Sequence, residues 1–189
     1  MSRLRIAVVA VAALLGACVA GFPAERIWEG ARIGAVTPLD FSAFASAGAT
    51  VAILGAPPGG ASEEAVVEAL RLPSRFRQAP LQAIDPFSET PPRLRLVFAF
   101  GIAGGADGNP LCAGTLPAPA PQHAAQGLEV LGALCDGARA DTMARLSHPA
   151  PLGPDDPAFA VAMTRLIDTL APRDRQRRDR SERCFFLPC

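Results

Sequence analysis

Two histidines, five cysteines and one Gly-rich corner are the features of this 189-residue chain best suited to chemistry. The corner, GAPPGGAS at 55–62, has the G-x-x-x-x-G spacing of a phosphate-cradling loop, with Ser62 at its Ser/Thr position. Its lysine position holds Ala61, so a γ-phosphate would lose its main cation. Glu63 and Glu64 load the following helix start with negative charge, against an anion there. The stretch therefore reads as a strand–turn–helix corner and not as a nucleotide site. His123 lies in a Pro-rich stretch and His148 precedes Pro149. There is no G-x-S-x-G elbow. The adjacency of Ser147 and His148 in sequence does not make a triad, whose members meet in space. His148 reads as a surface loop residue. GGADGNP at 104–110 offers Asp107 and Asn109, whereas calcium loops use several carboxylates at alternate positions. It reads as a tight turn.

Composition narrows the chemistry further. All 18 basic residues are Arg, and the chain has no Lys and no Tyr. A lysine Schiff base, a catalytic Lys and a Tyr acid are thereby excluded. Formal net charge is zero, which argues against a nucleic-acid footprint over the whole chain. The sequence assigns no catalytic residue, no metal and no cofactor, and it leans away from an enzyme.

The N-terminus is more specific. Arg3 and Arg5 precede a ten-residue apolar core, Ile6 to Leu15, and small residues Gly16 and Ala17 lead to Cys18. A positive flank, a short apolar core and a small-residue exit are the layout of a secretory signal. Leu15-Gly16-Ala17-Cys18 resembles the lipobox of bacterial lipoproteins; the resemblance covers only the first 20 or so residues, and the family of the rest of the chain is not recognised. It implies diacylglycerol modification of the Cys18 thiol, cleavage just before it, and fatty acids such as palmitate as the anchor. Residues 1–17 would then be the signal peptide. Val19 stands where well-studied members carry Asp for inner-membrane retention, so the resemblance favours the outer membrane and a periplasm-facing domain.

Setting Cys18 aside for the lipid leaves Cys112, Cys135, Cys184 and Cys189, an even number. Exported chains with even counts usually pair them. Three connectivities are open, and proximity in sequence suggests Cys112–Cys135 and Cys184–Cys189. Cys184 and Cys189 have four intervening residues, not the two of a redox motif, and no Cys/His quartet has zinc spacing.

The elements that must position these residues follow from periodicity. Residues 18–48 read as the lipidated cysteine and a tether, with Trp28 and Ile33 tucked into the edge of a domain at 49–172. Within it, 49–55 is a continuous apolar strand. Residues 62–72 form a helix capped by Ser62 and stopped by Pro73, with Ala65, Val66, Ala69, Leu70 and Leu72 inward. In 92–101, Leu94, Leu96, Phe98 and Phe100 alternate on one strand face. Residues 128–135 form a strand, Asp136-Gly137 a hairpin turn, and 140–147 a return strand. The 101–127 connection is long, with Pro117, Pro119 and Pro121 favouring an extended segment. Asp156 and Pro157 start a helix whose stripe is Phe159, Ala162, Met163, Leu166, Ile167 and Leu170. The tail, 173–189, holds six Arg against three acids and the last two cysteines.

The expected fold is α/β: one small domain with a sheet of three to four strands and two helices packed on it. The strand–helix–strand order over 50–100 predicts a parallel pair. The expected function is a membrane-anchored envelope lipoprotein acting as a non-enzymatic accessory or interaction module. Its partners are membrane lipid through Cys18 and an envelope protein, with no nucleic acid. The alternatives are an anchored binder of a small periplasmic ligand, with 101–127 as lid, and a hydrolase using His123 or His148.

Overall fold

The structure, a computed structural model, describes residues 25–102, 107–115 and 127–173. Strands β1 (Arg26–Arg32), β2 (Thr50–Gly55), β3 (Gln82–Ala83), β4 (Leu94–Phe100), β5 (Leu128–Asp136) and β6 (Arg139–His148) form one sheet in the order β1-β6-β5-β4-β2-β3. The β1–β6, β6–β5 and β5–β4 pairs are antiparallel, while β4–β2 and β2–β3 are parallel. Helices α1 (Pro38–Ser46), α2 (Glu63–Ala69), α3 (Gly108–Cys112) and α4 (Pro157–Leu170) complete a mixed α/β domain.

Helices α1, α2 and α4 share one apolar core with Val51, Ile53, Leu96, Phe98, Phe100, Val130, Leu134 and Leu146 of the sheet. The predicted stripe of α4 is buried in full. Its start is as expected: the Asp156 carboxylate accepts from the Ala158 N–H, and Pro157 occupies the first turn, where a missing N–H costs nothing. The helix lies close to the sheet because Gly132 faces it; a Cβ there would stand 3.0 Å from Leu170 and 3.2 Å from the Phe98 ring.

The second sheet face is also apolar. Ala52, Leu54, Val97, Ala99, Leu131 and Ala133 lie under α3, which contributes Leu111 and Cys112. A strand covered on both faces reads as an unbroken apolar run, which is why 50–55 and 94–100 show so little polar alternation.

Several expectations need correction. Among the described residues the sheet has six strands and the domain four helices, not three to four and two. Residues 26–46, expected within the tether, supply β1 and α1. β1 pairs with β6 through Arg26–Ser147, Ile27–Leu146 and Trp28–Arg145. α1 starts at a capping box: Thr37 Oγ1 accepts from the Asp40 N–H at 3.2 Å, and the Asp40 carboxylate accepts from the Thr37 N–H at 3.0 Å. Trp28 and Ile33 are 49% and 61% exposed rather than tucked in. α2 ends at Ala69, not at the residue before Pro73, and Val67 is buried where Ala65 and Ala69 are only half-buried. GGADGNP is no simple turn, because α3 begins within it.

Candidate functional site

The expected chemical residues are largely committed to local structure. At the corner after β2, Ser62 caps α2 by accepting from the Ala65 N–H at 3.2 Å. Asp107 caps α3 by accepting from the Asn109 N–H at 3.1 Å, while the Asn109 amide oxygen accepts from the Ala140 N–H at 3.0 Å. Both side chains thus fasten α3 to itself and to β6. His148 ends β6, where its Nδ1 accepts from the Ala150 N–H at 3.1 Å. His123, Cys18, Cys184 and Cys189 lie outside the described residues. Among the described residues no group of three His, Cys, Asp or Glu is gathered for a metal. No described helix is long and apolar enough to cross a membrane.

Cys112 and Cys135 are joined in a disulfide with Cα atoms 5.5 Å apart. It ties the last residue of α3 to the end of β5, and both cysteines are buried. Arg95, the cross-strand partner of Cys135, completes this corner. Its guanidinium is buried, donates to the Cys112 carbonyl, and reaches the Pro92 carbonyl at 2.8 Å. Burial pulls its pKa below the ordinary arginine value, since a charge out of water is disfavoured.

The exposed end of the same face is different in character. Trp28, Arg145 and Leu131 form one cross-strand row over β1, β6 and β5. Arg145 reaches Glu129 through Nε at 3.1 Å and Nη2 at 3.0 Å. Beside this row, Gly30 lies against Met143; a Cβ on Gly30 would come within 2.7 Å of the Met143 Cε. The absent side chain leaves a cleft of about 200 Å³, walled by Trp28, Met143, Leu131 and Ile102. That is below the ~300 Å³ at which pockets for drug-sized ligands begin. A wider hollow of about 620 Å³ lies between α2 and β3, with Arg71 and Gln78 among its walls. Both side chains donate to backbone carbonyls, Arg71 to Leu70 at 2.7 Å and Gln78 to Leu72 at 3.2 Å.

Among the described residues β1 is the edge strand, so the outer side of its backbone and the half-exposed indole form one surface. Chemically this surface can pack an apolar or aromatic group and exchange hydrogen bonds along an edge; it holds no nucleophile. Sequence reasoning missed it because RIWEGAR carries only two large apolar residues among five small or charged ones. A period-two reading of Arg26, Trp28 and Gly30 against Ile27 and Glu29 was the available signal.

No protein family and no curated protein sequence matches the chain. Two solved structures are similar to it, both PelC dodecamers from Paraburkholderia phytofirmans in different space groups. One is 9% identical with a TM-score of 0.37, the other 11% identical with a TM-score of 0.39. Each alignment covers 80% of this chain and all of the other. At these TM-scores the likeness carries no argument about function or assembly.

Proposed function

We propose that the chain is an envelope lipoprotein, anchored by lipid on Cys18 and facing the periplasm, whose domain serves as a non-enzymatic interaction or accessory module. The observation that carries this reading is the buried Cys112–Cys135 disulfide. Structural disulfides persist in oxidising compartments. The envelope is the compartment to which a signal ending in Leu15-Gly16-Ala17-Cys18 would deliver the domain. Two acyl chains on one residue give stable anchoring where a single chain does not. Val19 after the cysteine favours the outer membrane. The module reading draws support from the half-exposed Trp28 on an edge strand, a surface suited to contact rather than to bond-making.

Metabolic labelling with a radioactive fatty acid tests the anchor. The wild-type chain takes up label and Cys18→Ser does not; equal incorporation refutes the reading. Complementation of a deletion strain tests the module: His123→Ala and His148→Ala restore the phenotype at matched expression, and failure of either directs attention to catalysis.

A further inference from the structure

We infer that the β1 edge, led by Trp28, docks on the anionic headgroup layer of the bilayer that carries the Cys18 anchor; this rests on the lipoprotein reading above. Six residues, 19–24, separate Cys18 from Glu25, where the described domain begins. Fully extended, seven residue steps span at most about 25 Å. A domain of this length is about 40 Å across. The tether is shorter than the body it holds, so the end of the domain that carries β1 cannot turn away from the membrane.

β1 is fastened to α4 by the Arg165–Glu25 ion pair at 3.2 Å and by Arg32, which donates to the Thr169 carbonyl at 2.9 Å and the Ala171 carbonyl at 3.3 Å. Arg173 lies three residues beyond the end of α4 and opens the stretch 173–183, with six Arg against three acids. Glu25 and Arg173, the first and last described residues, therefore both lie along the flank that β1 and α4 share.

Trp28 exposes about half its surface, and exposed Arg26 lies two residues before it on the same strand face. Tryptophan belongs at the headgroup level, where its ring meets acyl chains and its N–H meets water. Arginine pairs with lipid phosphates. The partner is thus an anionic phospholipid surface.

Trp28 is the chain's single tryptophan, so its emission reports this position alone. The acylated full-length mature chain is reconstituted into vesicles of phosphatidylethanolamine and phosphatidylglycerol. Replacing these with lipids brominated near the headgroup should quench the emission, and lipids brominated at the acyl terminus much less. Arg26→Glu, which keeps the fluorophore, should lower the quenching. Mass spectrometry of the same sample reports whether Cys18 is acylated. An acylated chain whose emission ignores bromine overturns the docking alone. A chain without the acyl group overturns the docking and the anchor together. Emission shielded from both brominated lipid and aqueous acrylamide places a second copy or another protein over Trp28 and also overturns the proposal.

Discussion

Opening the Cys112–Cys135 cross-link should cost the domain about 3.4 kcal/mol. The bond closes a separation of 23 residues. In the chain-entropy treatment a loop of that size removes roughly 11.4 cal/mol/K from the unfolded ensemble, about 3.4 kcal/mol at 25 °C. The native side should change little, because buried thiols pack as small apolar groups and Arg95 still donates to the Cys112 carbonyl. For a domain of this length the loss corresponds to about 10 °C in Tm. The assay compares urea unfolding of the oxidised chain with the same chain reduced in denaturant and refolded under reductant. Cys184→Ala/Cys189→Ala is carried through both arms so that only this bond differs. The slope of the transition should rise slightly on reduction, as the unfolded ensemble expands. Unfolding free energies that differ by less than about 0.5 kcal/mol would refute the reasoning, because a loop of this length cannot be closed so cheaply unless the unfolded chain already holds its ends together.

Other perturbations follow from the packing. Phe159→Ala empties a fully buried site beside Phe100, with ring centroids 6.5 Å apart, and should lower stability by about 3–5 kcal/mol in urea unfolding. Asp141 is buried, and its Oδ1 accepts from the Ala35 and Val36 N–H groups at 2.5 and 3.1 Å; Asp141→Ala leaves both donors unpaired and should cost about 2–4 kcal/mol, with calorimetry as the check. Asp136 is held below the ordinary aspartate value of 3.8, first by its hydrogen bond from Arg93. Its contribution is complete above the unfolded-state value and lost as pH falls through the lower folded-state value. Stability should therefore be level in this respect above about pH 5 and decline below about pH 4. Arg93→Ala should remove part of that decline in acid titration followed by circular dichroism.

The parts of the fold that were legible in sequence are those with strong local signals. α4 combines a cap, a proline at its first position and a six-residue stripe, so its start and its buried face could be read directly. β4 alternates large residues on the helix-covered face, and Asp136-Gly137 marks the hairpin between β5 and β6. β1, β3 and α3 were missed for physical reasons. β3 is two residues long, too short for any period, and exists because β2 offers it a parallel partner. α3 is a single turn held by the Asp107 cap, the Asn109 contact and the disulfide, all of which depend on β5 and β6 being in place. α1 had a readable capping box, Thr37 to Asp40, but little amphipathic pattern behind it: only Phe41 and Ala45 are buried.

β1 shows why a site can be harder to read than a core. Its Ile27 joins the main core and its Arg32 is spent on the end of α4, so the strand is placed by contacts 110 to 139 residues away in sequence. Trp28 then falls on the opposite side from Ile27, because strand side chains alternate. The indole's exposure follows from β1 being last in the sheet among the described residues, where Gly30 supplies no side chain to cover the ring. The exposure is therefore a consequence of strand order, which local sequence does not encode. Replacing Gly30 with Ala would set a methyl group against Met143 in the cleft wall. That single change should alter the Trp28 emission while leaving the helix-covered core intact, because Gly30 touches only the second face.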